Sequence, residues 1–322
     1  MATKQQLLNA ARQCPTGQFH TDADATNFAR MVEFQYAQTY DLEYPELKMA
    51  NGGILPIDTS VPEGAQTFVY YTYGGTGVAA IINAYSSSSI PRAGYQGKRT
   101  DGRIHSMALS YGVTIDDLAA AAMANTNLEA GLGDACKRGH YQTREDIGWF
   151  GSPANGLNGF LTHPNVTQVT STGLFSALTF DQIAADVATL INTASNITNT
   201  VEVTNTVLFP SDVWNNLKGR PVAAGNSSNV SIAQWLVGNY PGVTFETSPV
   251  LQSANHAGTD FAGKNIAVAY NKNPAKVSLV VPKDFTNLPP QWEALEMMVY
   301  NHSRCGGVKL TRPLSVTVMR GV

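Results

Sequence analysis

From Gly64 to Pro91 the chain carries no Asp, Glu, Lys or Arg, and this neutral stretch lies inside a segment that alternates strand-forming and turn-forming composition. IDTSVPEGAQTFVYYTYG, beginning at Ile57, is rich in β-branched and aromatic residues and is punctuated at Pro62-Glu63-Gly64. GRIHSMALSYGVT, beginning at Gly102, returns with the same character. Between them INAYSSSSIPRAGYQGKRTDG supplies serine, glycine and proline, which build no core and favour an exposed loop. The pattern predicts two long strands with a weakly structured tip over residues 54–113. Such a hairpin cannot stand alone, because a two-stranded ribbon is marginal in water without something to pack on.

The flanking chain is mixed helix and strand. Lys4 to Gln13 reads as a short helix, and Thr26 to Tyr40 is a dense, only partly periodic apolar mixture, together an arm rather than a domain. Thr114-Ile115-Asp116-Asp117 matches a capping box, so a helix is expected to run through the alanines to Ala124. A second helix is expected from Leu128 to about Phe150, although Gly131, Gly133 and Gly139 each weaken it by about 1 kcal/mol relative to alanine. Phe180, Ile183, Ala184, Val187, Leu190 and Ile191 recur at helical spacing behind Thr179, an N-cap residue. Val201–Phe209 reads as a strand, followed by short helices at 212–217 and 232–237 and strands near Val243, Ile266 and Val277. Gly306-Gly307 reads as the turn of a closing hairpin.

Charge removes whole classes of function. Lys and Arg number 21 against 24 Asp and Glu, a net charge of -3, so no basic face exists to hold nucleic acid phosphates by counterion release. Charged residues make up only 14%, where soluble domains carry about 25%. Residues 147–180 and 221–245 are also free of charge, and with 64–91 they are candidate contact surfaces. Cys14, Cys136 and Cys305 form neither a disulfide framework nor a thiolate metal motif, which fits a reducing compartment. The amino terminus has no apolar core with a cleavage site and no run is long enough to cross a bilayer, so a cytosolic, soluble chain is expected.

Each chemical motif fails a specific requirement. Gly75-Thr76-Gly77-Val78-Ala79-Ala80 follows a strand-like run and matches a dinucleotide-binding turn, but no acid occurs between Glu63 and Asp101 to hold a ribose. His302 lies three residues before Cys305, yet on a strand the two side chains point to different faces. The six histidines show no paired metal spacing, and there is neither a phosphate-binding lysine loop nor a serine elbow. No catalytic, cofactor-binding or metal-binding residue is therefore nominated.

Four local patterns remain. They are Tyr44-Pro45-Glu46-Leu47 before Ile57-Asp58-Thr59-Ser60-Val61-Pro62; Trp149-Phe150-Gly151 leading to the run from Gly156 to Val166; Leu288-Pro289-Pro290-Gln291-Trp292; and Arg304-Cys305-Gly306-Gly307-Val308 with Arg312-Pro313-Leu314-Ser315-Val316. With the arm, the hairpin and the long helix, they make the chain resemble the Hong Kong 97-type major capsid proteins of tailed bacteriophages over nearly its whole length. The resemblance implies an α+β, Hong Kong 97-like capsid fold. Its parts would be an N-terminal arm (1–53), an extended β-hairpin loop lying over a neighbouring subunit (54–113), a peripheral domain with a spine helix (114–151), an axial domain (152–281) and a return to the peripheral β-sheet (282–322). It also accounts for a hairpin that buries nothing by itself, since heterologous contacts with neighbours would cover it.

The same resemblance implies a structural protein, not an enzyme, whose copies self-assemble as hexamers and pentamers into an icosahedral head shell. That shell would enclose double-stranded DNA without sequence-specific binding. Scaffolding, portal and decoration proteins would be further partners, with no fused scaffolding segment, no cofactor and no membrane. The chain would be made in the host bacterial cytoplasm and end in the virion. Arg92, Lys98 and Arg99 at the loop tip are the inter-subunit contact candidates. Some relatives crosslink a loop lysine to an asparagine; Lys98 is placed for this, no asparagine or acid matches, and no crosslink is expected. The alternatives are an encapsulin-like nanocompartment shell and, more remotely, a nucleotide-dependent oxidoreductase using Gly75 to Ala80.

Overall fold

The computed structural model describes residues 44–81, 90–124, 128–222, 230–255 and 263–322. The helix expected at Lys4–Gln13 and the partly periodic arm segment Thr26–Tyr40 lie outside those residues, and the fold below is that of Leu47–Val322, one unit. In chain order the strands are β1 (Ile57–Asp58), β2 (Thr67–Thr76), β3 (Gly94–Arg103), β4 (His105–Thr114), β5 (Gly151–Ser152), β6 (Leu157–Asn158), β7 (Thr167–Thr170), β8 (Thr206–Pro210), β9 (Thr244–Ser248), β10 (Ile266–Tyr270), β11 (Val277–Val280), β12 (Lys283–Asn287), β13 (Gln291–Glu293), β14 (Glu296–Cys305), β15 (Val308–Leu310) and β16 (Val316–Arg320). The helices are α1 (Ile115–Ala124), α2 (Leu128–Phe150), α3 (Phe180–Ile197), α4 (Ser211–Gly219) and α5 (Ile232–Asn239).

The centre is a five-stranded sheet in the order β7-β16-β10-β8-β9. β8 and β10 are buried at every position, as expected of strands covered on both faces. Leu208, Ile266, Val268 and Tyr270 project into one core with Trp149 and Phe160. Val207, Phe209, Ala267 and Ala269 project the other way, into a second core with Ile183, Leu190 and Trp214. Period-two geometry thus divides one set of strands between two cores. Phe160 meets Tyr270 edge-on at 5.1 Å, an arrangement worth about 0.5–1.5 kcal/mol beyond area burial.

α3 forms where its periodicity places it. Gln182 Oε1 accepts from the backbone N–H of Thr179 at 3.0 Å and from its hydroxyl at 3.1 Å, closing the helix start. Ile183, Val187, Leu190 and Ala194 then fill the second core. Thr114 and Asp117 close α1 as the capping box requires, the Asp117 N–H donating to Thr114 Oγ1 at 3.1 Å. α2 runs through its glycines and packs against β4 and β14 of a four-stranded sheet.

Three sequence expectations are corrected. The second strand of the long hairpin is β3, inside the segment read as loop, and it pairs with β2 from Thr67↔Arg103 to Thr76↔Gly94. GRIHSMALSYGVT instead makes β4, which pairs along its length with β14. β3 has no apolar rhythm because almost every residue in it is exposed on both faces. Gly306-Gly307 does not close a hairpin: β14 is bordered by β4 on one edge and by β12 and β13 on the other, so β15 pairs with β11. Gly307 at φ 72 makes that redirection possible, and a Cβ there would sit 2.8 Å from the Asn158 carbonyl oxygen. β8 starts at Thr206 rather than Val201, since Asn199 and Thr200 are left-handed and Glu202 turns inward to an ion pair.

Candidate functional site

The β2–β3 ribbon has two unlike faces. At its base Phe68 and Tyr70 face the body: the Tyr70 hydroxyl donates to the Leu310 carbonyl at 2.9 Å, and a Cβ on Gly102 would overlap the Phe68 ring. The opposite face carries Val69, Tyr71, Tyr73 and, across the ladder, Tyr95. Tyr71 and Tyr73 stack at 6.1 Å, Tyr73 and Tyr95 at 5.3 Å, and the last is 74% exposed. Three stacked rings held open to water are an unpartnered surface.

Arg92, Lys98 and Arg99 are all exposed at this ribbon, but the structure does not gather them into one site. Arg92 precedes β3, while Lys98 lies opposite Thr72 and Arg99 opposite Tyr71, on different faces. Arg99 pairs with Asp101 at 2.8 Å, an exposed pair of little energetic weight. Gly75 and Gly77 lie on the ribbon strand and just past its end, with Val78 85% exposed, so no strand-to-helix phosphate turn forms there.

A second exposed surface, not singled out by the sequence reading, lies where β13, β14 and α1 meet. Glu293 pairs with Glu296, Glu296 with Thr114, and the Ile115 N–H donates to the Leu295 carbonyl at 3.1 Å. Asp116, Asp117, Glu293 and Glu296 are exposed there beside Trp292 (59%), Leu295 (73%) and Ile115 (47%). A separate groove is lined by Tyr111, Glu129, Asp134, Lys137 and Tyr141. The available signal was the absence of any Lys or Arg over residues 104–136 and 284–303.

Buried ionisable groups lock the body. Glu145 accepts from the Ala50 N–H at 2.7 Å and from Trp149 Nε1 at 2.8 Å, and burial pushes its carboxyl above the usual range despite those bonds. Burial also acts upward on Glu202, but hydrogen bonds from Lys276 (2.6 Å) and Arg312 (2.7 Å) outweigh it and hold that carboxyl low. His140 bonds Ser303 Oγ at 2.7 Å, and burial holds the imidazole below its ordinary pKa. Cys305 is fully buried, which pushes its thiol up, while His302 alternates to the other face of β14. A protonated buried thiol facing away from the imidazole is no nucleophile.

The family model described as "Major capsid protein" matches residues 77–322. No curated protein matches the chain significantly. Among solved structures, the capsid of Myoviridae phage XM1 is similar at TM-score 0.79 and 17% identity, covering 91% of this chain and 98% of that one. A structure of Mycobacterium phage Bobi is similar at TM-score 0.65 and 12% identity, covering 91% and 97%. The capsid of a native GTA particle gives TM-score 0.64 at 13% identity, covering 94% and 99%.

Proposed function

The chain belongs to the major capsid protein family, and from that premise we propose that its copies close into the icosahedral head shell of a tailed bacteriophage around double-stranded DNA. It is a structural protein, not an enzyme. The observation that carries the reading is the agreement of a family match over residues 77–322 with a phage capsid fold across 91% of the chain. In this reading residues 1–53 are an arm, 54–113 a loop reaching a neighbour, 114–151 and 282–322 the periphery of a capsomer, and 152–281 its axial part. Capsomers of six and five copies, joined by portal, scaffolding and decoration proteins, complete the particle. Arg92, Lys98 and Arg99 would meet another subunit. The net charge of -3 suits a container that encloses DNA without gripping it.

Negative-stain electron microscopy with light scattering on the purified chain tests this. Closed particles tens of nanometres across, enclosing nucleic acid when taken from infected cells, are expected. A monomer or dimer at every protein concentration, salt and crowding condition overturns it. Shells loaded with a protein cargo instead of a genome would favour the nanocompartment.

A further inference from the structure

The long helix α2 meets the four-stranded sheet through a seam of polar side chains. From Leu128 to Arg144 it buries only Cys136, His140 and Arg144, which recur every four positions along one face. Beneath them β14 turns Asn301, Ser303 and Cys305 inward, every second residue of the strand. His140 bonds Ser303 across the seam, and Cys136 lies against Asn301. Of these six residues only Cys305 belongs to an apolar core. Parting the helix from the strand here therefore exposes less apolar surface than opening either core would.

His140 sits in the middle of the seam, 4% exposed. Its Nδ1 lies 2.7 Å from Ser303 Oγ, while Nε2 is buried without a partner. Phe285 of β12 meets the ring edge-on at 5.2 Å. The groups around it are mostly cationic. α2 itself brings Cys136 and Arg144 one turn to either side, and Tyr141, whose ring lies 4.3 Å from the Arg144 guanidinium. β14 brings His302 and Arg304 on either side of Ser303, and β12 brings Lys283 and Asp284. β4 sets Met107 opposite Ser303, with His105 and Tyr111 further along. The nearby carboxylates are engaged or outside: Asp284 takes Arg144 and the Phe285 N–H, each at 2.8 Å, Glu145 takes Ala50 and Trp149, and Asp146 is exposed on the groove between α2 and β4. Among the described residues none of them bonds His140. A neutral imidazole suits this place. An imidazolium needs acceptors at both nitrogens, and Nε2 has none. Burial first, then His302 and Arg144, hold the ring below its ordinary pKa.

We propose that the seam between α2 and β14 is an acid-released joint: a proton taken up by His140 parts the helix from the four-stranded sheet while the two-core body stays closed. The sign follows from linkage. An imidazole with a lowered pKa in the closed joint favours the closed form fully above 6.5, its ordinary value, and that preference is lost as pH falls from 6.5 through the depressed value. Within that window the open form gains about tenfold for each unit of pH. Glu145, further along α2, acts the other way: its carboxyl is raised, so its contribution grows in acid and residues 47–55 stay tied to the end of the helix. The joint lies within one copy and is independent of the shell reading.

Hydrogen exchange of the unassembled full-length chain, read by mass spectrometry at about pH 7.5 and about pH 5.5 and corrected for intrinsic rates, tests it. Amides of β14 from Val299 to Cys305 and of α2 from Cys136 to Arg144 are expected to exchange about tenfold faster at the lower pH, and those of β8 and β10 at an unchanged rate. His140→Gln removes the titrating group and is expected to give equal exchange at both pH values, whereas His302→Gln keeps the acid response. Equal protection of the native seam at both pH values, faster exchange spread over β8 and β10, or an acid response that survives in His140→Gln or disappears in His302→Gln overturns the joint. Should His140→Gln fail to fold, the nuclear magnetic resonance titration of His140 in the native chain decides. A ring that stays neutral below 6.5 until the seam amides open supports the joint, and one that titrates at 6.5 overturns it.

Discussion

Replacing Glu145 by alanine isolates what holds residues 47–55 to the long helix. Glu145 is 4% exposed, and both its donors sit on residues with no exposure, Ala50 and Trp149. Glu145→Ala leaves two buried N–H groups without acceptors, each costing about 1–3 kcal/mol. Part of that loss is offset, because a carboxylate whose burial cost exceeds its bonds is removed at the same time. The expected net cost at neutral pH is about 2–4 kcal/mol, a large share of the roughly 5–15 kcal/mol that stabilises a domain. The pH dependence has a definite sign. A carboxyl raised in the folded state binds its proton more readily there than in the unfolded chain. Its contribution to stability therefore grows as pH falls from the raised value toward 4.5, the ordinary one. The difference between wild type and Glu145→Ala should consequently widen on acidification through that window. Urea unfolding of unassembled subunits, followed by tryptophan fluorescence at a series of pH values, measures it. A cost below about 0.5 kcal/mol, or one that shrinks with acid, refutes the reasoning.

Glu202 has the opposite sign: its carboxyl is held low by Lys276 and Arg312, so its stabilisation is present above the ordinary range and is lost as pH falls through the depressed folded value. Glu202→Gln should cost about 3 kcal/mol, the lower end for a broken buried pair because Arg312 is half-exposed, and should flatten the acid limb of the stability curve; an unchanged acid limb contradicts this. Gly151 stands at φ 70, and a Cβ there would overlap the Leu157 carbonyl oxygen. Gly151→Ala is thus expected to lower stability by at least about 1–2 kcal/mol, seen as a lower urea midpoint with the same slope; an unmoved midpoint refutes it. Cys305, fully buried and with its thiol pushed up, should resist alkylation in the native subunit and react after unfolding; native-state labelling at Cys305, read by mass spectrometry, would show that the site is open.

What was legible in the sequence was what packs on at least one face or closes a local hydrogen bond. α3 shows its buried stripe and its cap in the residue pattern, and α1 shows the capping box that its hydrogen bonds complete. β8 and β10 read as apolar runs because both of their faces are covered. β3 was illegible for the opposite reason: GYQGKRTDGR has no buried face, so its strand character comes from β2 alone. Pairing partners were also hidden. No local pattern says that β14 is bordered on both edges, which is what sends β15 to β11. The ribbon's basic residues could be named in advance, but the face each occupies follows from the register, and Lys98 and Arg99 fall on opposite sides. The acidic end stayed unseen because its residues come from two segments some 180 positions apart, Asp116 and Glu296.

The distribution of contacts along the ribbon bears on how a shell can be built from such a chain. Phe68 and Tyr70 anchor its base to the body, while further out Tyr71, Tyr73 and Tyr95 stack on one another on the outward face. A two-stranded ribbon beyond its anchor is close to the limit of stability in water. Its outer half therefore gains most of its order from whatever covers it. The body has the reverse construction, with two cores on one sheet and buried carboxylates tied to their donors. In the proposed shell, bodies joined through such ribbons would make contacts that are individually weak, because part of each contact's gain would be spent ordering the ribbon. Weak contacts dissociate quickly, so in that shell a subunit joined at a wrong angle would be released before the ring closed on it. Low overall charge serves the same end, since it leaves few unpaired ions to be trapped at a misdocked face.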